Sequence, residues 1–146
     1  MRDPAALANS RAGDGSATLV PPAVTAGPGM ARVGAALYER FGRLAVLWGN
    51  AGVLGVLSPI GHIDPAVFEQ VMAVNVTANW RLIRTLDPLL RMSDAGRAIF
   101  VSSGVAAHPR AYWGPYAVST AGLEALVRTY PAEVANRPLR PNLVNP

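Results

Sequence analysis

The sequence predicts an α/β fold in which strands and helices alternate and the strands form one parallel sheet. Three short apolar runs have the length and composition of strands, at residues 44–48, 98–101 and 139–144. Three longer segments carry the apolar spacing of helices, at residues 30–41, 64–92 and 116–136. Strands that alternate with helices along a chain are typical of a parallel sheet with helices packed on it.

Local signals support the bounds of these elements. Asp64 is a good N-terminal cap and Pro65 suits a first helical position, so the longest helix is expected to begin there. Pro115 opens the third helix in the same way, and Gly42 suits the end of the first. The run Leu44–Trp48 is uninterrupted by polar residues, which is typical of a parallel strand that is covered on both faces.

The composition argues against several classes of function. All 13 basic residues are arginines, scattered from Arg2 to Arg140 without a basic run, so nucleic-acid binding is not expected. With no cysteine and two isolated histidines, the sequence offers no metal site. The uncharged stretch 44–63 contains Pro59 and four glycines, which favours a strand and a loop over a membrane span. A cytoplasmic protein is expected.

Polar residues lie where α/β sheets form pockets, outside the carboxyl ends of the strands. Ser103 follows one strand, Tyr116 lies in the first turn of the next helix, and the loop Asn50-Ala51-Gly52 follows another strand. Asn75 interrupts the apolar stripe of the longest helix, where a buried amide requires hydrogen-bond partners. Taken alone, each of these residues has an ordinary structural explanation, but together they are expected to converge on one pocket.

This combination resembles the short-chain dehydrogenase/reductase family. Ser103 and Tyr116 match the family's serine and tyrosine in type and in their spacing of thirteen residues. Asn50-Ala51-Gly52 matches the end of the family's Asn-Asn-Ala-Gly turn, with Gly49 in the first place. Asn75 matches the asparagine that the family carries on the long helix.

The resemblance extends from about residue 17 to residue 146. It implies a Rossmann-like doubly wound parallel sheet that lacks the first two strands and the last strand of the family fold. No glycine-rich phosphate-binding turn of the family's kind is found in the sequence, so the binding of NAD or NADP is expected to be weak.

The resemblance also implies an activity, which is hydride transfer between NAD or NADP and a small alcohol or carbonyl substrate. Tyr116 would be the acid or base, and Ser103 would donate a hydrogen bond to the carbonyl oxygen. Asn75 would support the water of a proton relay. The cofactor-side loop would consist of Asn50, Ala51 and Gly52.

Position 120 departs from the family pattern. The family has a lysine there, whose ammonium favours the tyrosine phenolate and binds the nicotinamide ribose. Thr120 lies on the same helix face but is neutral, so it could offer the cofactor only a hydrogen bond. Because an isolated tyrosine has a pKa of about 10, turnover is expected to be depressed by about 10²-fold or more.

The chain is expected to form a single partial domain, residues 1–146, in which residues 1–28 are loosely attached and residues 29–146 are compact. Within the first part, residues 17–20 have the composition of a short strand. The alternative to an impaired oxidoreductase is a non-catalytic family member that acts only as a dimerisation module. The resemblance implies a homo-oligomer that forms through helices 65–92 and 116–136.

Overall fold

The structure is a computed structural model that describes residues 27–146. Its helices are α1 (Gly27–Phe41), α2 (Pro65–Met72), α3 (Ala78–Arg91) and α4 (Gly114–Glu133). Its strands are β1 (Val46–Gly49), β2 (Arg97–Val101) and β3 (Arg140–Val144). Two 3₁₀ turns, Ile60–His62 and Gly104–Ala106, lie in the loops, and one π-helical turn, Ala73–Thr77, joins α2 to α3.

The three strands form a parallel sheet in the order β1-β2-β3. Gly49 of β1 lies opposite Phe100 of β2, and Val101 lies opposite Val144 of β3. The predicted α/β class and the parallel sheet are therefore confirmed. Because the strands are parallel, the loops that follow β1 and β2 leave the sheet at the same edge.

The hydrophobic core lies between the sheet and the helices α1, α3 and α4. Alternate strand residues point into it, and Leu47, Ala98 and Phe100 are buried. Leu37 of α1 packs against the same cluster. The helices and the segments after them add Leu86, Leu89, Leu90, Leu123, Val127, Tyr130, Val134 and Leu139.

The opposite face of the sheet is open in the described part of the chain. Val46 and Trp48 point to this face, and Trp48 is 58% exposed. The expectation that the first strand is covered on both faces is therefore not met within residues 27–146, where the packed helices lie on one face only.

Several element bounds differ from those that the sequence predicts. The first helix begins at Gly27 rather than at residue 30, because Pro28 is tolerated in a first turn. Pro88 has no N–H to donate, which predicts a kink in the long helix at that position, but α3 continues through Pro88 and the irregular turn lies at Ala73–Thr77. The predicted strand at residues 17–20 lies outside the described residues.

A buried phenol links α4 to α3. The hydroxyl of Tyr130 donates a hydrogen bond of 2.6 Å to Asp87 Oδ1, and Arg91 Nε donates to both carboxylate oxygens of Asp87 at 2.9 and 2.7 Å. Burial raises the pKa of Tyr130 well above its ordinary value, and the hydrogen bond to Asp87 raises it further. The hydrogen bond to Asp87 also raises the pKa of Arg91.

This phenol predicts an alkaline loss of stability. The folded chain holds the Tyr130 proton more tightly than the unfolded chain, whose tyrosines titrate near pH 10. The contribution of Tyr130 is therefore complete below pH 10 and falls above it, by at most about 1.4 kcal/mol per pH unit. Melting temperatures between pH 8 and 11 should show this slope. Tyr130→Phe should flatten the dependence of melting temperature on pH. The control Tyr38→Phe, at an exposed residue, should leave that dependence as it is in the parent chain. An unchanged slope in Tyr130→Phe would contradict the assignment of the slope to Tyr130.

Candidate active site

The residues that the sequence singles out line one cleft of about 390 Å³ at the carboxyl edge of the sheet. These are Asn50, Ala51, Gly52, Asn75, Ser103, Tyr116 and Thr120. The other residues that line the cleft carry no motif in the sequence, and they are Val53, Leu54, Val101, Ser102, Trp113 and Leu123. Convergence at this edge follows from the parallel sheet, since β1 and β2 both end there.

Tyr116 and Ser103 both line the cleft, and each carries a hydroxyl group. Tyr116 lies in the first turn of α4, and its ring meets Trp113 edge-on with the ring centres 6.1 Å apart. Its hydroxyl makes no hydrogen bond with any residue in the range 27–146. Ser103 Oγ accepts a long hydrogen bond of 3.5 Å from the N–H of Val105, which leaves the serine proton available to donate. Both side chains can therefore donate a hydrogen bond to a ligand in the cleft.

The neighbouring serine is engaged elsewhere. Ser102 Oγ donates a hydrogen bond of 2.8 Å to Glu124 Oε1, and Arg128 Nη2 donates one of 2.6 Å to Glu124 Oε2. Ser102 and Glu124 are buried, so this contact ties the end of β2 to α4. The structure thus separates two adjacent serines: Ser103 has a free hydroxyl proton, and the proton of Ser102 is held by a carboxylate.

Asn75 lies in the π-helical turn, and its side chain holds the loop after β1. Its Oδ1 accepts from the N–H of Val53 at 2.8 Å, and its Nδ2 donates to the carbonyl oxygen of Val53 at 2.9 Å. The second Nδ2 proton goes to Ser119 Oγ at 2.9 Å. Because both amide protons are used within the protein, the side chain acts here on the loop that contains Asn50, Ala51 and Gly52. A π-helical turn is often found at a functional site.

Thr120 is buried, and its hydroxyl is turned back onto its own helix. Thr120 Oγ1 lies 2.8 Å from the carbonyl oxygen of Tyr116 and 3.1 Å from that of Ala117, and it donates its proton there. Only its oxygen lone pairs remain for a ligand in the cleft. The position that carries the family's lysine therefore supplies neither a positive charge nor a free proton.

A strained residue lies beside the cleft. Tyr112 has a φ of 72°, in the left-handed region that few non-glycine residues occupy. Its carbonyl oxygen accepts a hydrogen bond of 3.1 Å from the N–H of Ser58, which joins the loop before α4 to the loop after β1. Trp113 follows directly and carries the guanidinium of Arg110 over its ring, 5.6 Å from the centre. Such strain is common at functional sites.

Comparison with known proteins decides the family. A family model described as short chain dehydrogenase matches residues 2–146. The chain belongs to the short-chain dehydrogenase family. The Escherichia coli K12 protein named uncharacterized oxidoreductase YciK is 43% identical over 97 residues, which are 66% of this chain and 38% of that protein. A Mycobacterium tuberculosis protein named uncharacterized NAD-dependent oxidoreductase MT0715 is 33% identical over 109 residues, or 74% and 39% of the two chains.

Solved structures of similar proteins show the same fold. A short chain dehydrogenase of Salmonella enterica serovar Typhi superposes with a TM-score of 0.79 at 36% identity, over 89% of this chain and 52% of that chain. A chain from Shigella flexneri that was crystallised with NADP gives 0.78 at 34% identity, over 89% and 53%. This short-chain dehydrogenase chain thus spans about half of the length of these structures, and less of the curated relatives.

Two further properties concern only the described residues. Between residues 27 and 146 there is no group of three or more histidine, aspartate or glutamate side chains that could hold a metal ion. No helix within the same range is long and apolar enough to cross a membrane.

Proposed function

We propose that the chain carries the acid–base part of an oxidoreductase site, which transfers hydride between NAD or NADP and a small alcohol or carbonyl substrate. The observation that supports this most is the meeting of two free hydroxyl protons, on Ser103 and Tyr116, in one cleft. The membership of the family supports it independently. The activity of the whole protein is part of this proposal.

Each hydroxyl has a distinct role in carbonyl reduction. A bound nicotinamide would supply the hydride that reduces the carbonyl carbon. Ser103 donates a hydrogen bond to the carbonyl oxygen and stabilises the charge that develops there. Tyr116 transfers its phenolic proton to that oxygen, and solvent returns a proton to the phenolate. In the direction of oxidation, Tyr116 takes the proton from the alcohol instead.

The residues of the loop after β1 leave room for part of such a cofactor. A Cβ on Gly52 would meet nothing closer than Asn75 Oδ1 at 3.8 Å, so the backbone there is open to a ligand. The cofactor would be held by Asn50, Ala51 and Gly52, with the Thr120 oxygen as an acceptor beside them. Solved relatives crystallised with NADP and with NADPH support a nicotinamide dinucleotide as the ligand.

The uncharged Thr120 makes impaired turnover part of the proposal. No ammonium is available at this position to favour the phenolate of Tyr116, and the chain contains no lysine. Positioned acid–base catalysis is worth about 10²–10⁴-fold, so a loss of about 10²-fold or more relative to a lysine-bearing relative is expected.

A second candidate function is dimerisation without catalysis. Phe68, Trp80 and Val118 are 37%, 42% and 50% exposed and lie on α2, α3 and α4, the helices that are proposed to pair with a second copy. An apolar surface of this kind favours association. We place either form of the protein in the cytoplasm, with no nucleic-acid partner.

Calorimetry with NADH and with NADPH tests the first function against the second. We expect heat of binding at micromolar to low millimolar concentrations of cofactor. We also expect slow reduction of a small aromatic ketone in the same samples. The absence of heat at millimolar concentrations of either cofactor would overturn the oxidoreductase proposal. Sedimentation of the same samples between about 5 and 200 μM would then show whether a concentration-dependent dimer forms.

A further inference from the structure

A second buried hydroxyl, on Ser119, connects the helix of Tyr116 to the loop after β1. Ser119 is fully buried in α4. Its Oγ accepts the hydrogen bond of 2.9 Å from Asn75 Nδ2 and donates one of 3.0 Å to the carbonyl oxygen of Tyr116. Neither the serine–tyrosine spacing nor the asparagine motif includes this residue.

The contact completes a chain of hydrogen bonds through three segments. It runs from the backbone of Val53, in the loop after β1, to the amide of Asn75 in the π-helical turn. From Asn75 it passes to Ser119 and then to the carbonyl of Tyr116. Every donor in this chain has an acceptor, and buried networks that are fully satisfied hold one arrangement.

We infer that Ser119 is a positioning residue, which acts through Asn75 to hold the loop at residues 50–53 in register with Tyr116. This inference rests on the proposed function for its effect on cofactor binding. Without the Ser119 hydroxyl, one amide proton of Asn75 has no acceptor in a buried site, which is costly. The amide can recover a partner only by rotating, and rotation breaks its paired contacts with Val53.

The hydroxyl of Thr120 cannot replace that of Ser119. Thr120 also donates to the carbonyl of Tyr116, but its partners are confined to its own helix. Among the described residues 27–146, Ser119 is the residue of α4 whose side chain forms a hydrogen bond with Asn75. The link between the helix and the loop therefore depends on this hydroxyl.

The test is Ser119→Ala in the full chain, with Ser93→Ala as the matched control. Ser93 is also a buried serine, and its Oγ accepts a hydrogen bond from the N–H of Ala95 at 3.3 Å, in the turn after α3. Hydrogen exchange at the Val53 N–H is the first readout, because it reports the contact with Asn75 whether or not a cofactor binds. Calorimetric affinity for NADPH is the second.

In Ser119→Ala, exchange at Val53 should accelerate about tenfold relative to amides of β2, and NADPH affinity should fall about tenfold. Ser93→Ala should change neither the exchange at Val53 nor the affinity for NADPH, even if it lowers the melting temperature as much as Ser119→Ala does. Ser119→Cys, which keeps a weak acceptor, should lie between Ser119→Ala and the parent chain. Unchanged Val53 exchange in Ser119→Ala would overturn the inference. If exchange at Val53 accelerates in Ser119→Ala but the parent chain binds no NADPH, the inference is supported and the proposed function is contradicted instead.

Discussion

Tyr116→Phe is expected to lower the rate of carbonyl reduction by about 10²–10⁴-fold, because it removes the hydroxyl that we assign to transfer a proton to the substrate oxygen, while the Ser103 hydrogen bond remains. Cofactor affinity should change little, since the phenol hydroxyl makes no hydrogen bond within residues 27–146 and the ring that packs on Trp113 is kept. The rate is measured as NADPH consumption with a small aromatic ketone.

The matched control is Tyr112→Phe. Tyr112 lies in the loop before α4 and is 59% exposed, and the contact that the structure assigns to it uses its backbone carbonyl. This variant should keep the parent rate within about twofold. An equal loss in the two variants, or a loss below tenfold in Tyr116→Phe, would remove Tyr116 from the proposed chemistry.

Gly49→Ala should destabilise the fold by about 1–3 kcal/mol or more, the usual effect of overpacking a buried position. A Cβ at residue 49 would lie 2.5 Å from Phe100 Cδ1 and 2.6 Å from Asn79 Oδ1, and both of those side chains are buried. The loop that begins at Asn50 would shift with the end of β1, so cofactor affinity should fall as well. Urea unfolding measures the first effect and calorimetry the second.

Two further variants sharpen this test. Gly61→Ala adds the same methyl group where nothing lies within 4 Å, so its stability should stay near that of the parent. The double variant Gly49→Ala/Asn79→Ala should lose less stability than the sum of the losses in the two single variants. The reason is that it removes Asn79 Oδ1, one of the two atoms that the new Cβ would meet. Asn79 Oδ1 also has no hydrogen-bond partner within the described residues. Strict additivity would show that the two sites are not coupled.

The sequence predicts much of the cleft because its residues follow elements with clear local signals. Asp64 is the N-terminal cap of α2, where its side chain accepts a hydrogen bond from the N–H of Ala66. It does not line the cleft, yet it determines where that helix begins. Ser103 and Tyr116 stand directly after a strand and at a helix start, and those positions determine the edge of the sheet at which they lie. The alternation of strands and helices was therefore enough to place them together.

Other features depend on tertiary contacts that no local pattern records. The sequence marks Asn75 as a polar residue in an apolar stripe, but its partners, Val53 and Ser119, are 22 and 44 residues away. Likewise, two adjacent serines have the same local sequence signals, and only the position of Glu124 separates Ser102 from Ser103. Family resemblance named Ser103, and the structure supplies the physical reason for the difference.

That contact also limits how this site can change by mutation. A chain that lost the hydroxyl of Ser103 could not recruit the neighbouring serine in one step, because Glu124, itself paired with Arg128, already holds the Ser102 proton. A substitution at residue 124 would have to come first, and it would leave the buried hydroxyl of Ser102 without its acceptor. Two identical side chains, adjacent in the sequence, are therefore not redundant, and the history of one position constrains the history of the other.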